Sequence, residues 1–342
     1  VRAVLITAFG RRPEVVEVPT PIPAPDGVVV QVRATGLCRS DWHGWLGHDP
    51  DIDLPHVPGH EFAGVISAVG ADVRGWRAGD RVTAPFVCAC GRCAECRAGR
   101  GQVCAAQQQP GFTYWGSFAE QVAVPRAETN LVTLPDALDF AAAAALGCRF
   151  ATAYRALHGV GRLVPRERLI VFGCGGVGLS AVQIAVAAGA QVLAVDPEPR
   201  ARELALRFGA TRALASGPEL VEALRESTDG GAEVALDALG SAEIVQSALR
   251  SLRPGGRLVQ VGLLPGPVTL DMAPLIGREL RWLGSHGMAA SDYPPMLAAI
   301  ESGRIAPASL LGSRITLAEA PDALASLDAG GHPGITVIEP MR

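Results

Sequence analysis

Leu169-Ile170-Val171-Phe172-Gly173-Cys174-Gly175-Gly176-Val177-Gly178 is the stretch whose reading decides the fold. Its four leading apolar residues read as a buried strand, and the apolar pattern from Val177 to Ala188 reads as a helix. Between them Gly173, Gly175 and Gly178 spell G-x-G-x-x-G. That pattern is weak alone in a chain with 40 glycines, and stronger when a strand precedes it and a helix follows. The first glycine permits a tight turn, the second lets a pyrophosphate approach the backbone, and the third lets the helix pack on the strand. The N–H groups around Gly176 and Val177, at the positive end of the helix dipole, suit a diphosphate.

Outward from this loop the alternation continues. Gln191 to Val195 reads as a strand, Arg200 to Phe208 as a helix, Val234 to Leu236 and Arg257 to Val261 as strands, with a helix from Ala242 to Leu252 between them. Such alternation implies an α/β fold with a parallel sheet covered on both faces. Asp196 follows Gly178 by 18 residues at the end of the second strand. A carboxylate there accepts hydrogen bonds from adenosine ribose hydroxyls and repels the extra phosphate of NADP. NAD is the expected cofactor; Arg200, near enough to help a phosphate, keeps NADP as the alternative.

Upstream the texture changes. Val28 to Val32, Val65 to Val69 and Arg81 to Ala84 are short strand-like runs between glycines and prolines, a β-rich pattern with little helix. Ala141 to Leu146 and Thr152 to Leu157 turn helical. After Ser285 the pattern loosens, with one helix expected at Pro294 to Glu301. Length suggests two domains, and the changes of pattern along the chain divide them as residues 1–150, rejoined by 288–342, and residues 151–287.

Cys90, Cys93, Cys96 and Cys104 give C-x2-C-x2-C-x7-C. Four thiolates at this spacing can close tetrahedrally around one zinc and leave no open position, so the expected site is structural. The alternative, disulfides, suits a secreted scaffold, whereas this chain opens on no export-signal pattern; a cytoplasmic setting is expected. Three further segments carry possible ligands: Cys38 in Cys38-Arg39-Ser40-Asp41-Trp42-His43, His60 beside Glu61, and Cys148. Two thiolates and one imidazole make a catalytic zinc site with its fourth position open, but sequence separation cannot show that they converge.

Taken together, these segments resemble the zinc-dependent alcohol dehydrogenases of the medium-chain dehydrogenase/reductase superfamily over essentially the whole chain. The resemblance implies a GroES-like catalytic domain joined to a Rossmann domain, and a reaction that moves a hydride between an alcohol and NAD. It implies Cys38, His60 and Cys148 as catalytic zinc ligands, with Glu61 adjacent and able to ligate transiently. Asp41 then orients His60; Ser40 and His43 resemble the proton relay. Arg39 resembles a contact to the cofactor phosphates, and Thr152, Val177 and Val261 line the nicotinamide. Homodimers or homotetramers are usual in the family. Gly334-Ile335-Thr336-Val337 departs from it by lacking the arginine that often helps bind the pyrophosphate.

Composition narrows the chemistry. All 30 basic residues are Arg, which excludes a lysine Schiff base or a Tyr-Lys pair and leaves a metal as the electrophile. A net charge of −4 with no basic block favours neither nucleic acid nor an anionic membrane surface. The apolar stretch from Leu179 to Val195 is too short and interrupted to span a bilayer. Trp42, Trp45, Phe86 and Trp115 are candidates for an apolar pocket beside the zinc, with core packing as the alternative, and His286 is a lesser candidate for substrate contact. His48, His56, His158 and His332 carry no motif. Other readings are a polyol, amino-alcohol or secondary-metabolite dehydrogenase, and a non-catalytic NAD-binding scaffold.

Overall fold

A computed structural model describes residues 1–264, 266–329 and 334–342. The chain divides into two compact units: Val1–Ala151 with Gly287–Arg342, and Thr152–His286.

In the second unit six parallel strands lie in the order Arg212–Leu214, Gln191–Val195, Arg168–Phe172, Ala232–Asp237, Leu252–Gln260, Arg281–Gly284. Numbered along the chain this is 3-2-1-4-5-6, the Rossmann order, whose reversal beside the first strand makes a crevice at the strands' carboxyl ends. Leu169, Ile170, Val171 and Phe172 are all fully buried, as a strand covered on both faces must be. The helix Ala242–Ser251 starts where the Ser241 hydroxyl accepts the Ile244 N–H at 3.2 Å, a side-chain cap for an otherwise unpaired donor. Its Val245, Ala248 and Leu249 recur at helical spacing and are buried. Each large side chain so buried contributes roughly 1.5–3 kcal/mol before entropy is counted.

Two local readings shift. The strand expected from Arg257 begins at Leu252 and ends at Gln260, so Val261 leaves the ladder and donates instead to the Asp237 carbonyl at 3.0 Å. The helical pattern after Thr152 does not run on as α-helix: Arg149–Arg155 passes into a π-turn, Ala156–Val160. The buried Arg257 guanidinium holds that exit through the Gly161 and Arg162 carbonyls and the Glu167 carboxylate.

The first unit carries a seven-stranded sheet. Its path runs Leu311–Thr316, Ile335–Glu339, Val28–Gly36, Phe62–Val69, Arg81–Thr83, Val132–Thr133, with Gln121–Val124 also on Val28–Gly36. Val28, Val30 and Val32 alternate inward against Phe62, Ile66, Val82 and Val122, which fixes the register, since a one-residue slip would turn them to solvent. That register positions the chemistry. Thr35 pairs with Phe62, so the end of one strand, leading to Cys38, lies beside the start of the next, which follows His60 and Glu61. Among the described residues no helix is long and apolar enough to cross a membrane.

Candidate metal centres and cofactor loop

Ligating atoms of Cys38, His60, Glu61 and Cys148 all lie within 4.8 Å of one another. Asp41 organises three of the approaches. Its Oδ2 accepts the Cys38 N–H at 2.9 Å, at the start of the helix Arg39–Trp45, while Oδ1 accepts the Gly59 N–H at 3.0 Å and His60 Nδ1 at 2.9 Å. Because a carboxylate only accepts, Nδ1 carries the hydrogen, and Nε2 is the ring nitrogen left to meet a metal. His60 Nε2 is buried and has no hydrogen-bond partner among the described residues, a costly state for a polar atom unless a cation fills it.

Charge points the same way. The Cys38 thiol is held well below its usual value, chiefly by a hydrogen bond from Cys148, and the same contact together with burial pushes Cys148 well up. Two adjacent buried thiols ionise together only when a cation compensates them. Burial works against charging His60, yet Asp41 and Cys38 overcome it and raise its pKa well above the ordinary value. Surroundings that stabilise positive charge at an imidazole, beside two sulfurs, fit zinc. Phe86 and Phe112 stand beside the His60 ring, with centroids 6.1 and 5.2 Å away.

Glu61 is fully buried and does not stand alone. Arg149 Nε donates to both carboxylate oxygens at 2.9 Å, its Nη2 donates to Oε2, and its backbone N–H donates to Oε1 at 3.0 Å. Burial raises the Glu61 pKa and Arg149 opposes the rise; the guanidinium, penalised by burial, is held charged by Glu61. Sequence reasoning missed Arg149, because nothing in a lone arginine after a cysteine tells that it turns inward.

The second cluster is Cys90, Cys93, Cys96 and Cys104, again within 4.8 Å. Sulfur separations are 3.4 Å for Cys93–Cys96, 3.7 Å for Cys93–Cys104 and 3.9 Å for Cys90–Cys96. Four sulfurs about 2.3 Å from one zinc would stand about 3.8 Å apart, and a disulfide needs about 2 Å. All eight cysteines are free. Backbone N–H groups point at the sulfurs: Arg92 and then Cys93 lower Cys90 to about 6, and the Cys96 N–H lowers Cys93. Burial and its thiol neighbours push Cys96 up to about 12. The lobe is preorganised to hold thiolates, and a zinc ion would supply the charge that lets all four form.

Around the open site, Ser40 Oγ is 3.8 Å from Cys38 Sγ. His43 is exposed, and its Nδ1 lies 3.0 Å from Nδ1 of His48, a contact no motif announced. Burial, then His48, lowers the His43 pKa. Arg39 is ion-paired with Asp328 at 3.0 Å and lies over Trp42. Trp45 packs into a core with Leu37 and Phe118, its indole on the Arg11 carbonyl, and the half-exposed Trp115 donates to the Pro55 carbonyl; of the four pocket aromatics only Phe86 meets His60. His56 is buried, His158 and His286 are exposed, and His332 lies outside the described residues.

In the second unit Gly173 has φ +91°, and a Cβ at Gly178 would overlap the Gly173 carbonyl oxygen. A Cβ at Gly175 would meet nothing within 4 Å, so that face of the turn stands open, as a diphosphate cradle requires. Asp196 is buried; its Oδ2 accepts the Cys174 N–H at 2.7 Å and Oδ1 the Glu198 N–H at 2.8 Å. Arg200 is exposed and donates its N–H to Glu198. Arg202, which sequence reasoning passed over, reaches the Asp196 carbonyl at 2.8 Å. Thr152 Oγ1 is buried without a partner among the described residues, and Val177 and Val261 are half-buried. These groups fit a dinucleotide.

Comparison with known proteins matches two family models, "Alcohol dehydrogenase GroES-like domain" over residues 24–136 and "Zinc-binding dehydrogenase" over residues 176–302. An NAD-dependent alcohol dehydrogenase of Sulfurisphaera tokodaii is 33% identical over 99% of this chain and 100% of its own. An alcohol dehydrogenase of Rhizobium meliloti is 34% identical over 89% of each. A crystal structure of an NAD-dependent alcohol dehydrogenase superposes with a TM-score of 0.90 at 31% identity, covering 99% of this chain and 100% of that one.

Proposed function

The chain belongs to the zinc-dependent alcohol dehydrogenase family, and from that premise we propose which of its residues perform the reaction. It is an oxidoreductase that exchanges a hydride between an alcohol and NAD, interconverting alcohol with aldehyde or ketone, and zinc is its metal. Cys38, His60 and Cys148 hold the zinc at which the alcohol reacts; Cys90, Cys93, Cys96 and Cys104 hold a structural ion. A zinc bound at the first site supplies the Lewis acidity that lets an alcohol lose its proton near neutral pH.

Ser40 takes that proton and passes it to His43, whose lowered pKa keeps its imidazole neutral and able to accept. Asp41 holds His60 in the tautomer that ligates. Arg39 binds a cofactor phosphate after exchanging its partner Asp328. Gly173, Gly175, Gly176, Val177 and Gly178 cradle the pyrophosphate, and Asp196 keeps lone pairs for the ribose hydroxyls with Arg200 beside the adenosine end. Thr152, Val177 and Val261 contact the nicotinamide. Phe86 and Phe112 beside His60 support a simple aliphatic or aromatic primary or secondary alcohol. A homodimer or homotetramer is part of the same reading, supported by a sheet that ends on Arg281–Gly284. So is the reducing cytoplasm, supported by eight free thiols.

The observation that carries this assignment is the convergence of two thiols, a carboxylate and an imidazole whose buried Nε2 is free. The test is NADH formation by the zinc-loaded protein over aliphatic, aromatic and polyol alcohols, beside Cys38→Ser. Turnover that needs Cys38, with two zinc ions per chain, is expected. Equal turnover in Cys38→Ser, or one zinc per chain in the active protein with the Cys90 lobe occupied, would remove Cys38 from the reaction.

A further inference from the structure

The buried pair of Glu61 and Arg149 has more order than packing requires. Glu61 offers a carboxylate within 4.8 Å of the three other potential ligand atoms. Left alone, a buried anion beside a zinc would be drawn to it and could take the position that an alcohol needs. Instead both its oxygens are engaged by one guanidinium, through Nε at 2.9 Å to each and through Nη2. The backbone N–H of Arg149, one bond along from the ligand Cys148, adds a third donor at 3.0 Å.

Charge arithmetic agrees. Zinc with two thiolates is neutral, and the buried carboxylates of Asp41 and Glu61 would bring the site to −2; Arg149 offsets one of them. The fold also reserves room for this pair. A Cβ at Gly36, at the end of the strand Val28–Gly36, would overlap Glu61 Oε2 and approach Arg149 Nη2 to 2.7 Å. Gly36 has no positive φ, so a side chain there would meet no backbone strain and would have to displace the pair.

We propose that Arg149 is a positioning residue that holds Glu61 back from the zinc and so keeps the fourth coordination position open. The proposal rests on the assignment of Cys38, His60 and Cys148 as zinc ligands. It is tested without alcohol or NAD, by replacing zinc with cobalt(II) and titrating the visible spectrum with imidazole, a small ligand for an open metal position. An imidazole-dependent spectrum in the parent protein is required by the underlying assignment; no response would sink that assignment itself. With the parent responding, Arg149→Met should weaken imidazole at least about ten-fold, because Glu61 now competes for the position. Adding Glu61→Gln to Arg149→Met should restore the affinity.

A merely structural role for Arg149 would leave imidazole affinity unchanged in Arg149→Met, or weakened with no rescue by Glu61→Gln, and either result overturns the proposal. Leaving Glu61 buried without its partner is strongly destabilising, so Arg149→Met can fail to fold. Gly36→Ala then decides, since it presses on the pair and removes neither charge. A weaker imidazole site rescued by Glu61→Gln in the Gly36→Ala background upholds the idea; an unchanged site refutes it.

Discussion

Asp41→Asn is the substitution whose outcome follows most directly from the geometry. The Asp41 carboxylate is 1% exposed and takes three hydrogens: Gly59 N–H and His60 Nδ1–H on Oδ1, Cys38 N–H on Oδ2. An asparagine of the same shape has one accepting oxygen. Placed at Oδ1 it satisfies two donors, and its NH2 then faces the Cys38 N–H, donor against donor. One buried hydrogen bond is lost and one N–H orphaned, about 1–3 kcal/mol. Loss of the carboxylate behind a ligating histidine typically weakens metal binding about 10–100-fold. Asp41→Ala orphans all three donors and should cost more, about 3–9 kcal/mol. Zinc affinity is read by competition with a chelator of known strength, and stability by denaturant unfolding of the metal-free protein. The Cys90 lobe provides an internal reference, for its zinc should be unaffected. A folded Asp41→Asn protein that holds both ions as tightly as the parent would refute the claim that Asp41 prepares His60.

His48→Ala removes the second-largest cause depressing His43, so the His43 pKa should rise and the acid limb of the rate profile should move to higher pH; an unmoved limb would exclude coupling between the rings. Glu233 is held down to about 2 because hydrogen bonds from Arg168 and Arg253 outweigh its burial. A depressed carboxyl stabilises the fold above its unfolded pKa of about 4.5 and loses that contribution as pH falls toward 2. Glu233→Gln should therefore cost about 1–3 kcal/mol at pH 7 and flatten the acid unfolding curve between those values; a parent-like curve would deny the Arg168–Glu233–Arg253 cluster any weight. Gly178→Ala puts a methyl group into the Gly173 carbonyl. NADH binding, followed by fluorescence, should weaken at least about ten-fold, since 1.4 kcal/mol of strain already suffices, while both zinc ions stay bound; tight NADH binding would show that the turn has slack.

Local features were legible wherever a short stretch carries its own geometry. The turn from Gly173 to Gly178 needs glycines at fixed offsets, for a positive φ at the first and for helix contact at the last, so the pattern and its flanking strand and helix suffice to read it. The same holds for Cys90 to Cys104, where four thiols within fifteen residues cannot avoid one another. The sequence by itself also determined the strand-helix alternation that makes the parallel sheet, because burial on both faces demands continuous apolar runs.

What lay beyond it is everything set by distance through space. Cys38, His60 and Cys148 are far apart along the chain, and only the pairing of Val28–Gly36 with Phe62–Val69 puts the first two side by side. Resemblance to a family named those ligands and Asp41 behind His60, whereas the His60 Nε2 without a partner among the described residues and the bonds from Asp41 to Cys38 and Gly59 are facts of packing. Arg149 on Glu61, Asp328 on Arg39 and His48 on His43 had no signal at all, since a charged or aromatic residue outside a motif reads as solvated until its neighbours are known. Sequence sets the local turns and the chemistry available; which charges end up buried together is decided by tertiary packing, because the energy of a charge depends on what surrounds it in space.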